Sequence, residues 1–167
     1  MKLKTYLKFV NEISINELGD LKNIVSYNFN LVKDLGNRAL YKFELPEDDG
    51  SIDTFRVELN AVWYQDEIDD SNDYTTWLKE QFPELYSLYD VAFGSNFLGF
   101  SGVKSKGGTD YIYKILKTVV EVLKHYISSR RNTTKIGFCF SGAGGDIRRL
   151  NFYKSICEEF NISFETF

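Results

Sequence analysis

Residues 109–140 read TDYIYKILKTVVEVLKHYISSRRNTTKIGFCF, and this stretch decides the fold. Ile112, Ile115, Leu116, Val119, Val120, Val122, Leu123 and Ile127 recur at the three-to-four spacing of one broad helical face. Thr109 or Asp110 supplies an N-cap oxygen. Arg130 and Arg131 follow at the other end, where the helix dipole favours cations. Lys135–Phe140 then reads as a buried strand. A helix of this length between two strands crosses over a sheet, and such crossovers are right-handed.

Working back from the helix, Asn96–Gly108 is a Gly/Ser-rich loop holding Phe97, Leu98 and Phe100. Tyr89–Phe93 is the strand that would feed it. Working forward, Ser141–Gly145 is a tight glycine loop. Asp146 caps a further helix to about Glu159, with Ile147, Leu150, Tyr153, Ile156 and Cys157 on its inner face. Ile162–Phe167 closes as an edge strand. Residues 89–167 are therefore expected to form a strand–helix–strand–helix core.

The first half has different periods. In Ala39–Leu45, Tyr41, Phe43 and Leu45 alternate with Leu40 and Lys42. In Thr54–Tyr64, Phe55, Val57, Leu59 and Ala61 alternate with Arg56, Glu58, Asn60 and Val62. Period two on both sides of the Gly50-containing loop predicts a β-hairpin over 39–64. Leu3, Tyr6, Leu7, Val10 and Ile13 give a helical spacing, and Leu18, Leu21, Ile24 and Val25 suggest a second short helix. Residues 1–35 thus read as a helical N-terminal segment, with Gly36-Asn37 as its stop signal. Residues 66–73 form an acidic loop, and Trp77–Leu88 a short helix around Pro83. The sum is one α+β domain over 1–167: a mixed sheet, an antiparallel meander followed by a β-α-β-α unit.

Composition narrows the functions. The chain has 167 residues, the size of one domain, with 43% hydrophobic residues and 14 Phe and 11 Tyr to fill a core. The formal charge of -4, with both signs interspersed, argues against nucleic acid as a partner. No apolar run reaches the roughly 18 residues that span a bilayer, and the N-terminus lacks the apolar region of a secretory signal. A cytoplasmic protein is expected. Cys139 and Cys157, the two cysteines, read as reduced, mostly buried thiols and not as a disulfide scaffold.

Metal chemistry finds little to work with. His125 is the one histidine, and no Cys-x-x-Cys occurs, so zinc is not expected. Asp69, Ser71, Asp73 and Glu80 take positions 1, 3, 5 and 12 of a calcium-loop pattern, but Tyr74 stands where the turn glycine belongs. These residues read as a solvated acidic loop. Nothing places His125 beside a nucleophile elbow, so it reads as a partly exposed helix residue.

Lys104-Ser-Lys106-Gly107-Gly108-Thr109, at the start of the long helix, resembles the (Arg/Gln)-x-x-Gly-x-(Gly/Ala) loop of the GNAT acetyltransferase family. The likeness covers about residues 89–160 and implies a GNAT-like scaffold. It also implies that Lys104, Lys106, Gly107, Gly108 and Thr109 would hold the pyrophosphate of acetyl-CoA, through converging backbone amides at a helix N-terminus. In that family a tyrosine on the last helix is a candidate general acid, and Tyr153 has its spacing. The match departs from the pattern at Lys104 and Thr109, and Asp110 adds a carboxylate where a pyrophosphate would sit.

Ile115-Leu-Lys-Thr118-Val119, Ile136-Gly-Phe138 and Arg149-Leu-Asn-Phe-Tyr153, with the opening Lys4-Thr-Tyr-Leu-Lys-Phe9, resemble small proteins of tailed bacteriophages. Val10-Asn11-Glu12 is similar to the cleavage motif of a capsid-targeting leader of internal head proteins. These resemblances imply a phage origin and no particular activity; the expected function is a non-catalytic accessory, binding or assembly protein without a cofactor. Its contact surfaces would be Phe97, Leu98 and Phe100, the acidic loop and the sheet edge, and its partner a protein or a second copy. The alternatives are an acyl-CoA-dependent N-acetyltransferase, with Tyr153 as acid, and an internal virion protein delivered by its N-terminal helix.

Overall fold

The computed structural model describes residues 23–46, 50–66, 73–95, 108–130 and 135–139. The chain divides into two compact units: Met1–Ser26 with Lys104–Lys117 and Gly142–Phe167, and Tyr27–Val103 with Thr118–Ser141. In the first unit, the described residues include the opening turns of one long helix, where Tyr113, Ile115 and Leu116 are buried.

The second unit holds a mixed five-stranded sheet in the order β1-β2-β3-β4-β5. The strands are β1 (Phe29–Asp34), β2 (Arg38–Pro46), β3 (Ile52–Tyr64), β4 (Leu85–Ser95) and β5 (Lys135–Cys139). The helices are α1 (Asp73–Gln81), before β4, and α2 (Gly108–Ser129), before β5. β1 to β4 pair antiparallel in succession, and β5 joins β4 in parallel. The molecule is therefore α+β, with the expected meander and the expected crossover: the strands on either side of α2 lie side by side, Tyr89 opposite Phe138.

The predicted hairpin is present, β2 and β3 pairing from Arg38↔Asn60 to Pro46↔Ile52. Its alternation builds the core. Tyr41, Phe43, Leu45, Phe55, Val57 and Leu59 are buried, while Leu40, Lys42, Arg56 and Glu58 on the other face are only partly covered. Val119, Val122, Leu123 and Tyr126 of α2 are buried as well, and the Tyr126 ring meets Tyr89 of β4 at 5.2 Å.

A register shift between Ala61 and Trp63 turns β3 over. Trp63 then pairs with Leu88 and joins Leu78 of α1 in a second apolar cluster. Leu88 and Tyr89 are neighbours on one strand and so face opposite ways. Because Tyr89 meets α2 and Leu88 clusters with α1, the two helices flank opposite faces of the sheet.

Four expectations are corrected. Phe29–Asp34, placed in a helical segment, is β1. Gly36-Asn37, read as a helix stop, is a two-residue turn closed by the Leu35 N–H on the Arg38 carbonyl at 2.8 Å. Gly36 has φ +82°, the sign that tight hairpin turns require at this position. The helix expected over Trp77–Leu88 runs over Asp73–Gln81 instead, and Leu85–Leu88 opens β4. Pro83 disfavours helical backbone at Phe82, whose N–H closes the last turn on Leu78. Finally, β5 is half-buried rather than buried, as befits a strand with one ladder among the described residues. The helix expected over 3–13, the glycine loop 141–145, the helix from Asp146 and the strand 162–167 lie outside the described residues.

Candidate interaction site

The residues singled out for chemistry fall mostly outside the described chain. Lys104, Lys106, Gly107 and Tyr153 lie there, as do Phe97, Leu98, Phe100 and Cys157. Of the glycine-loop set, Gly108 and Thr109 are placed, as the first two residues of α2. Among the described residues no group of three or more His, Cys, Asp or Glu is positioned for a metal ion, and no helix is long and apolar enough to cross a membrane.

What the structure does bring together is a polar cluster where α2 lies along β1. The Thr118 hydroxyl accepts the Tyr27 N–H at 2.9 Å. His125 stands edge-on to Phe29 and Tyr41, with the Tyr41 hydroxyl 3.2 Å from Nδ1. Arg130 reaches both Asp34 oxygens at 2.9 and 3.0 Å and lies 4.2 Å over the Tyr126 ring. Helix and edge strand are thus clasped at three levels.

The β1–β2 turn is the focus of the lowest level. Its Gly36 N–H bonds to Asp34 at 2.9 Å. Its Gly36 carbonyl accepts the Tyr89 hydroxyl at 3.0 Å and the Tyr126 hydroxyl at 3.3 Å. Since Tyr89 spends its proton there, the Tyr64 hydroxyl, 3.2 Å away, donates to Tyr89.

The electrostatics describe a structural cluster. Burial pushes the Tyr41 phenol up to about 12 and raises Tyr126 further. Burial would also raise Asp34, but the Gly36 N–H and the hydrogen bond and charge of Arg130 outweigh it and hold the carboxyl below its usual range. The Cys139 thiol is pushed up to about 11 by burial and by Asp90 nearby. Tyr41 and Tyr126 are held protonated, Tyr89 and Tyr126 donate to the Gly36 carbonyl, and the Asp34 carboxylate is occupied. These groups hold the fold and offer no activated nucleophile or base.

The exposed chemistry lies on the other side of β1. Among the described residues it is an edge strand, with Leu31 41%, Val32 52% and Leu35 59% exposed. A register shift between Leu31 and Lys33 makes Val32 the extra residue of a bulge. Leu31 opposes Tyr41 and so faces the α2 side, whereas Lys33 opposes Leu40 on the far face.

Asp53 was not anticipated. It is 1% exposed on the core face of β3, opposite Leu45, and its Oδ1 has no hydrogen-bond partner. The signal was available, because the inward phase of Phe55, Val57 and Leu59 runs back to residue 53.

No family model, no curated protein and no solved structure matches the chain.

Proposed function

We propose that this chain is a non-catalytic accessory or assembly protein, phage-encoded and acting in the host cytoplasm, that binds a protein partner along the edge of its sheet. The scaffold is GNAT-like in this reading, which draws on the meander, the crossover helix and the parallel β4–β5 pair. The observation that carries the reading is the exposure of Leu31, Val32 and Leu35 on and beside an edge strand. Edges of soluble sheets are ordinarily shielded, and apolar residues left on one mark a contact. The polar cluster supports it from the other side, since its ionisable groups are committed to the fold.

The test is a photo-crosslinking residue placed at Val32 and, as a control, at Thr54 in the middle of the sheet, in the cells that make the protein. A discrete adduct from Val32 and none from Thr54 is expected. Adducts from neither position would overturn the reading. The non-catalytic part is tested with acetyl-CoA at millimolar concentration: a cofactor that binds the folded state raises the melting temperature by mass action, and here no rise is expected.

A further inference from the structure

The edge carries different chemistry on its two faces, and this specifies the strand it would accept. On the α2 face the rim of β1 is Leu31, with the exposed His125 ring beside Phe29. On the opposite face the rim presents Asn30 and Lys33, and the inner strands add Lys42 and Arg56, with the exposed Glu44 two residues from Lys42. Asn30 pairs in register with Lys42, and Lys42 with Arg56, while Lys33 stands one step along. Arg38 on that face is taken by Glu58 at 2.9 Å. No ion pair among the described residues engages Lys33, Lys42 or Arg56. Lys42 and Arg56 sit directly opposite each other, an arrangement that like charges disfavour and an anion between them would relieve.

Resting on the proposed function, we infer that β1 takes an added strand whose side chains alternate between apolar and acidic. Main-chain groups of the edge would supply the ladder. The apolar row of the incoming strand would cover Leu31, and its acidic row would lie beside Lys33 and face the long Lys42 side chain across Asn30. A second copy of the chain fits poorly. Its own β1 would bring another Lys33 to the same face of the joined sheet, cation beside cation. The bulge at Val32 and the lysine next to it are devices that edges use against indiscriminate pairing. The strand admitted is one whose charge offsets the lysine.

The experiment titrates the full-length, nitrogen-15-labelled protein at low salt with an eight-residue peptide of alternating valine and glutamate. The same peptide with lysine in place of glutamate is titrated in parallel. The glutamate peptide should shift and protect amides within Phe29–Leu35, and the lysine peptide should not. Lys33→Glu, and separately Lys42→Glu, should each weaken the glutamate peptide about tenfold and let the lysine peptide bind. Equal binding of both peptides, no binding of either at millimolar concentration, or shifts that spare β1 would overturn the inference. So would light scattering that shows the protein alone to be a dimer joined through β1. A Val32 cross-link without peptide preference leaves the proposed function standing and removes this chemistry. Peptide binding without a cross-link in cells does the reverse.

Discussion

Replacing Asp53 with valine should make the protein more stable. Asp53 is 1% exposed, one of its oxygens has no partner, and Leu45 and Phe55 are its neighbours across and along the strands. A buried polar group without a partner costs about 1–3 kcal/mol. Valine has a smaller side chain by one heavy atom, so it does not overpack the site. It favours strands, and its two methyls gain transfer energy of about 0.8 kcal/mol each when buried. Allowing for a small residual void and for compactness of the unfolded chain, we expect Asp53→Val to add about 2 kcal/mol. For a chain of this size that raises the melting temperature by roughly 4–8 °C. Urea unfolding at pH 7, followed by circular dichroism, measures it, with an unchanged m-value as the sign that both end states are preserved. A loss of 1 kcal/mol or more would refute the reasoning, since it would mean that the carboxylate is engaged in the folded state. If the gain appears, an aspartate retained at a cost becomes a residue to test in binding assays.

Other outcomes follow from the same contacts. Asp34→Asn should cost about 1 kcal/mol at pH 7, a modest figure because Asp34 and Arg130 are each more than a quarter exposed. The folded carboxyl lies below its unfolded value, so the stability it contributes is present above about pH 4 and fades as pH falls through the lower folded value. Urea midpoints of the two proteins should therefore differ at pH 7 and converge towards pH 2. Gly36→Ala should cost about 1–2 kcal/mol by the same assay, because φ +82° strains any residue with a Cβ although nothing lies within 4 Å of one. In a Cys157→Ser background, native Cys139 at pH 8 should react with a thiol reagent about a hundredfold more slowly than free cysteine, and at the ordinary rate in urea. Fast native reaction would show that the thiol is not held in its protonated form.

Much of the architecture was legible in the residues because the periods were clean. Tyr41, Phe43 and Leu45 against Phe55, Val57 and Leu59 left one way to pair two strands, and a 22-residue α2 could return to the sheet only by crossing over. The errors came where local signals are shared by different structures. Gly36-Asn37 punctuates a helix or turns a hairpin, and what decides is whether Phe29 and Leu31 find Phe43 and Tyr41, a long-range fact. Trp77–Leu88 held both a helix and a strand start, and the flip at Val62 that makes room for α1 has no sequence mark. The edge site was anticipated as an edge but not as β1, because edge status depends on strand order. Asp53 could have been read by extending the hairpin's phase one step.

The parallel β4–β5 pair sets the order in which the sheet can be built. β1 to β4 are each other's next neighbours along the chain, so their ladders close short loops and form early. β5 pairs only after α2 has been laid down and carried back, with Tyr89 waiting for Phe138 across 49 positions. Until then β4, and not the later β5, is the second border of the sheet, and its main-chain groups on that side stand unpaired. Crowded synthesis or slow refolding would expose the second border, with Phe138 and its neighbours unsheltered, to any strand that arrives first.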